Sequence, residues 1–191
     1  MNSGIETVRF ALQPLACLPC WKITTGYSSW LTFHFGQPRI SVQEALLDSA
    51  IGAALHFRRM ADVEGEFRLW IEMSDWVVFQ DGERLADSES SPSVIRKAAA
   101  ALQGQILVGV QLRHSPAQCE FVFDLGGKLC CHRYAEFEST DGLWHLFSPD
   151  GITTFLATGE SCLKNRQGAS GPGVVNPCID SWILVGANLV T

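Results

Sequence analysis

Trp30-Leu31-Thr32-Phe33-His34-Phe35-Gly36-Gln37-Pro38-Arg39-Ile40 alternates apolar or aromatic residues with polar ones until Gly36 and Pro38 interrupt it. Alternation of period two bounded by turn residues marks a half-buried strand, so the stretch reads as strand, tight turn at Gly36 and second strand. The same grammar returns in Phe121-Val122-Phe123-Asp124-Leu125-Gly126-Gly127-Lys128-Leu129, where Phe123 matches Phe33 and Gly126 matches Gly36.

Working outward, Phe67-Arg68-Leu69-Trp70-Ile71 ahead of Asp81-Gly82 parallels Leu143-Trp144-His145-Leu146-Phe147 ahead of Asp150-Gly151. Upstream, Cys20-Trp21-Lys22-Ile23 corresponds to the apolar run Ile106 to Leu112. The reading is an α+β, β-rich fold. Two pseudo-repeated antiparallel meanders, over about 16–88 and 104–159, are packed as a single domain within 1–159. The first copy carries an insertion from Val42 to Arg59, in which Glu44 to His56 can form an amphipathic helical turn or two. A hairpin through Glu64-Gly65 then returns the chain to Ile71.

Between the copies, Ser91-Pro92-Ser93-Val94-Ile95-Arg96-Lys97-Ala98-Ala99-Ala100-Ala101-Leu102 has a capping serine, proline in the first turn and Gly104 as a stop. It predicts one linking helix over 92–103, with Val94, Ile95, Ala98, Ala99 and Leu102 on its packed face. Residues 160–191 form a Gly, Pro and Asn-rich loop followed by a strand from Cys178 to Val185, which pairs with a sheet edge in its own molecule or with a neighbouring copy as a homodimer.

A length of 191 residues supports one large domain, and 47% hydrophobic residues with six Trp and eleven Phe supply a core. The net charge is −6 with scattered cations, Arg58-Arg59 being the only adjacent pair, which argues against nucleic-acid binding. Apolar runs such as Trp182 to Val185 are too short to span a bilayer. The N-terminus lacks an export signal and the seven cysteines are odd in number, so the expectation is a cytoplasmic protein with reduced thiols.

Cys17-Leu18-Pro19-Cys20 has the spacing of a redox or zinc half-site. Its one potential complement, Cys130-Cys131-His132, places adjacent cysteines on opposite faces of a strand. No metal or other cofactor is therefore expected. His34 and His145 read as solvent-facing strand residues, and acidic pairs such as Glu64 with Glu66, Glu72 with Asp75 and Glu136 with Glu138 as solvated. No catalytic set converges. For a pocket between the repeats, Asp124, His132 and His145 are the polar groups to consider, and Trp76 adds an aromatic binding candidate.

The segments Leu18-Pro19-Cys20-Trp21, Ser29 to Gly36, Arg68 to Ile71, Gly104-Gln105 and Phe123 to Leu129 together resemble a family of uncharacterised bacterial proteins over about 16–158. Small acidic β-rich proteins of this style resemble the immunity proteins encoded beside polymorphic toxins. The resemblance implies a non-catalytic protein-binding role, with a toxin as partner. Two other classes stay open: a small-ligand binder or enzyme using the pocket between the repeats, and a structural or assembly protein.

Overall fold

The computed structural model describes residues 8, 10–26, 29–43, 59–72, 74–114, 117–133, 142–156, 161–165, 170–171 and 181–184; at 114, 117 and 156 and beyond 160 it describes the backbone alone. The segment from Glu44 to His56, the Glu136 and Glu138 pair and most of the C-terminal loop lie outside these residues.

The chain forms two antiparallel sheets. In chain order the strands are β1 (Lys22–Thr25), β2 (Leu31–Gln43), β3 (Met60–Ile71), β4 (Ser74–Gln80) and β5 (Glu83–Asp87). Helix α1 (Pro92–Leu102) follows, then β6 (Leu107–His114), β7 (Ala117–Phe123), β8 (Gly127–Arg133), β9 (Gly142–Ser148), β10 (Gly151–Leu156), β11 (Ser161–Asn165), β12 (Ser170–Gly171) and β13 (Ser181–Leu184). The first sheet runs β1-β2-β3-β9-β10-β11-β12 and the second β13-β6-β7-β8-β4-β5. The first sheet thus joins β1–β3 to the four later strands β9–β12, and the second joins β6–β8 and β13 to the β4–β5 hairpin. The joints are β3 beside β9 (Leu69 opposite Leu146) and β4 beside β8 (Val78 opposite Leu129).

Alternation decides which side chains meet between the sheets. Leu31, Phe33, Phe35, Leu69, Ile71, Trp144 and Leu146 point inward from the first sheet, and Trp76, Val78, Phe121, Leu129 and Cys131 from the second, all with 1% or less of their surface exposed. Phe33 stacks on Phe123 at 6.1 Å, and Trp144 meets Phe121 edge-on at 5.9 Å. Aromatic pairs at such separations add about 0.5–1.5 kcal/mol beyond the area they bury. Helix α1 touches β1 of one sheet and β4, β5 and β8 of the other, burying Ile95, Ala98, Ala99 and Leu102. Val94, expected on that face, is 38% exposed.

Three local readings are corrected. The chain does not turn at Gly36: β2 continues to Gln43 through a bulge, with Gly36 at φ +71° and the register shifting between Phe35 and Pro38. Glu64-Gly65 is no hairpin either, but lies inside β3 opposite that bulge. The strand that runs into the Asp81-Gly82 turn is β4, which carries Trp76, whereas Trp70 belongs to β3. Both turn residues have positive φ, 53° and 84°, as a two-residue hairpin requires. In the β9–β10 hairpin Ser148 pairs with Gly151, so Pro149-Asp150 make that turn.

The C-terminal strand pairs with β6 of its own chain and forms the edge of the second sheet. Among the described residues, no helix is long and apolar enough to cross a membrane.

Candidate binding face

Two rows of side chains cross the outer face of the first sheet. The first runs Thr32, Trp70, His145, Thr154, one residue from each of β2, β3, β9 and β10; the second runs His34, Arg68, Phe147, Ile152. Each lies outward because its strand neighbours are core residues: Trp70 stands between Leu69 and Ile71, and His145 between Trp144 and Leu146. Trp70 is the hub, edge-on to Trp30 at 5.4 Å and tilted against His145 at 5.6 Å and Phe147 at 6.0 Å. The Arg68 guanidinium sits 4.9 Å from the Phe147 ring centre while forming an ion pair with Glu64 at 2.8 Å.

His145 is held at both ring nitrogens, Nδ1 lying 2.9 Å from Thr154 Oγ1 and Nε2 3.3 Å from Glu72 Oε2. A Cβ on Gly142 would come within 2.7 Å of the ring, so that glycine gives the imidazole its space. Hydroxyl, imidazole and carboxylate in sequence match the composition of a nucleophile relay. Thr154, however, sits in mid-strand, paired to His145 on one side and Cys162 on the other, and is 6% exposed. Its neighbouring backbone N–H groups belong to the ladder and offer no oxyanion site. The arrangement positions an aromatic surface with a polar rim.

The four candidate residues do not converge. His132 alternates with buried Cys131 and faces outward from the second sheet, 3.9 Å from Asp75, so it and His145 occupy opposite outer faces. Asp124 lies in the β7–β8 turn, where its Oδ1 accepts the Ile106 N–H at 2.8 Å. Trp76, the aromatic binding candidate, is 1% exposed and donates its indole N–H to the Ser29 carbonyl at 2.8 Å; its bulk belongs to the core. Glu72 and Asp75, three positions apart in sequence, are parted by the crossing between sheets and stand beside different histidines. Thr154 and the Glu72 contact are not legible in the sequence, because His145 and Thr154 stand on different strands and Glu72 follows a third.

His34 also departs from expectation, being 3% exposed. Its Nδ1 accepts the Gly65 N–H at 3.0 Å, and its Nε2 is 3.5 Å from Thr24 Oγ1. Burial first, then the charges of Lys22 and Arg68, push its pKa down from 6.5 to about 4, against an opposing pull from Asp62. The ring is neutral, with the proton on Nε2.

Cys20, Cys119 and Cys131 behave as core residues. Cys17 is exposed whereas Cys20 is buried, its thiol pushed up to about 12 by desolvation, so the pair presents no common face to a metal. Cys119 and Cys131 are opposite one another in β7 and β8, fully buried and raised by desolvation, and Cys130 points to the other face. Trp144 and Ser74, whose buried polar atoms lack a conventional partner, interact with the Cys119 and Cys131 thiols. No group of three or more His, Cys, Asp or Glu able to hold a metal ion occurs among the described residues.

A polar cup of about 70 Å³ on the outer face of the second sheet is lined by Gln111, Arg113, Gln118 and Glu120. It is well below the roughly 300–1,000 Å³ of sites that enclose an organic ligand. No protein-family model, curated protein or solved structure matches the chain.

Proposed function

We propose that this protein is a non-catalytic binding protein that holds another protein on the aromatic outer face of its first sheet. The observation that carries the reading is the contiguous group Trp30, Trp70, His145 and Phe147 with Arg68 stacked at its edge. Trp, Tyr and Arg dominate interface hot spots because they bury large area at small entropic cost, and a pre-formed cluster loses little freedom on docking. With a net charge of −6 the surroundings favour a basic partner, in keeping with an immunity-type inhibitor that covers a toxin surface. Free, mostly buried thiols agree with a cytoplasmic setting.

We also infer that the two parts of the chain are copies of one unit. In its support, each part is a three-stranded meander followed by a hairpin that joins the other sheet. Trp76-Val77-Val78-Phe79 and Trp144-His145-Leu146-Phe147 then occupy equivalent hairpin strands, a pairing different from that of Trp70 with Trp144. On this reading the binding face lies where the copies differ, since His145 replaces Val77.

Affinity capture from a bacterial host lysate tests the function. Wild-type protein is expected to retain a basic protein that Trp70→Ala and Arg68→Ala each lose by tenfold or more while keeping a cooperative melting transition. Capture undiminished in both variants removes the reading.

A further inference from the structure

Cys119 of β7 and Cys131 of β8 stand directly opposite in a ladder that keeps one register from Gln118 to Val122. Both side chains point into the core, and neither residue exposes any of its surface. Residues paired in this way have Cα atoms about 4.5–5.5 Å apart, inside the roughly 4.4–6.8 Å that a disulfide spans. Their Cβ atoms, about 4.5–5.5 Å apart, need only a small approach to reach the roughly 3.5–4.5 Å of a bridge. The neighbouring Cys130 is on the outer face, its thiol 3.5 Å from Glu120 Oε2, so the sheet itself separates it from Cys119.

A second feature picks out the same pair. Among the described residues, Trp144 Nε1 and Ser74 Oγ are the buried side-chain polar atoms without a hydrogen-bond partner, and they stand one at each sulfur. The Trp144 indole favours negative charge on Cys119 and the Ser74 hydroxyl favours it on Cys131, both against the desolvation that opposes it. Burying two donors without an acceptor is costly, and a thiolate formed at this pair is the acceptor they lack.

We propose that Cys119 and Cys131 are a redox pair, open as thiols in reducing surroundings and closed as a cross-strand disulfide when a low-molecular-weight disulfide such as oxidised glutathione is in excess. One thiolate attacks that disulfide, forming a mixed disulfide and releasing one glutathione. The second attacks the protein sulfur of the mixed disulfide and releases the other. Two protein S–H bonds are lost, one protein S–S bond is gained, and both protons leave with the two glutathione thiols. The protein is oxidised and the glutathione disulfide reduced. Because both sulfurs are enclosed and desolvation holds them protonated, exchange proceeds through local opening of the β7–β8 hairpin and is slow.

The test equilibrates the full chain in glutathione buffers of graded oxidised-to-reduced ratio, alkylates it in denaturant and digests it with trypsin. Cleavage after Arg113, Lys128 and Arg133 puts Cys119 in one peptide and Cys131 in another. In the most oxidising buffer most molecules are expected to lose both alkylation sites and to yield the two peptides joined, lighter by two hydrogens than their sum. A dithiol should reverse this. Because Cys130 shares its peptide with Cys131, Cys130→Ser should retain the link and Cys131→Ser abolish it. Fragmentation of the linked wild-type peptides assigns the sulfur whether or not the second variant folds. Cys119 and Cys131 thiols that stay fully alkylatable in every buffer, or that carry glutathione without joining, overturn the proposal, as does a link through Cys130. None of these results bears on the aromatic face, which is read by partner capture.

Discussion

Phe33-His34-Phe35-Gly36 and Phe121-Val122-Phe123-Asp124-Leu125-Gly126 are written in one pattern, and each lies in the middle strand of its meander, yet one continues and the other turns. In β7 the chain leaves Phe123 through Asp124, whose carboxylate takes the Ile106 N–H, and reverses at Gly126 with φ +84°. In β2, Gly36 adopts a similar positive φ, but the extra residue is absorbed as a bulge and the strand runs on to Gln43. What differs is the support. At the bulge, Gly65 lets the Phe35 backbone approach and His34 takes up its N–H, whereas Asp124, which stands where the second stretch matches His34, takes up the N–H of Ile106 at the turn. A positive-φ glycine therefore permits either outcome, and the partner strand decides which is adopted.

The largest test of that comparison is to fill the space opposite the bulge. A Cβ on Gly65 would stand 2.6 Å from Phe35 O, 2.7 Å from Phe35 N and 2.8 Å from Phe67 O, all backbone atoms that cannot rotate away. Gly65→Ala is expected to cost about 3–5 kcal/mol in urea unfolding, at the diagnostic end of single substitutions. On the turning side, a Cβ on Gly127 would meet Gln105 Oε1 and Leu102 Cδ2 at 2.5 Å, both ends of side chains rather than backbone atoms. Gly127→Ala should cost about 1–3 kcal/mol. Equal costs would mean that the bulge is no more constrained than the turn.

The second test uses pH, because the support of the bulge is an imidazole. The pKa of His34 is 6.5 when unfolded and about 4 when folded, so between these values the unfolded chain binds the extra proton. Stability contributed by the neutral ring is complete above about pH 6.5 and is lost as the pH falls toward 4, by about 3 kcal/mol at most. His34→Gln should flatten that part of the stability profile. A wild-type profile that is flat from pH 7 to 4.5 would show that the ring carries no such linkage.

How much of this could be read from the sequence follows the same division. Strands, a helix that starts at Pro92 and the opposed facing of Cys130 and Cys131 follow from short-range periodicity. The fate of Gly36 depends on Gly65, and the exchange of hairpins depends on β3 meeting β9 and β4 meeting β8; these are long-range pairings that no window of sequence contains. The candidate face is the least legible. Glu72, His145 and Thr154 come from three places in the chain, and Glu72 and Asp75, expected to be solvated, each stand beside a histidine on a different sheet.

The third test is milder and acts on the turning strand. Asp124→Ala removes the carboxylate that receives the Ile106 N–H and should cost about 1–2 kcal/mol by thermal or urea unfolding, whereas Asp124→Asn keeps an acceptor oxygen and should recover most of it. If Asn is no better than Ala, the charge rather than the hydrogen bond fixes the turn.

The smallest expected effect belongs to an ion pair between β2 and β3 near the bulge. Arg39 and Glu66 meet at 2.7 Å, but the Arg39 side chain is 51% exposed, so solvent screens the pair and ordering two long side chains offsets part of its attraction. A double-mutant cycle with Arg39→Ala and Glu66→Ala should return a coupling of only about 0.2–1 kcal/mol, falling further in high salt. That is several-fold below the loss expected for Gly65→Ala, one position along β3 from the Arg39–Glu64 pairing. The ordering follows from the physics of each site: backbone atoms on both sides of Gly65 have nowhere to go, whereas the ions have water as an alternative partner. A coupling above about 2 kcal/mol would place the continuation of β2 under electrostatic rather than steric control, and the contrast between the two Phe-x-Phe strands would then rest on Arg39 and Glu66 instead of Gly65 and His34.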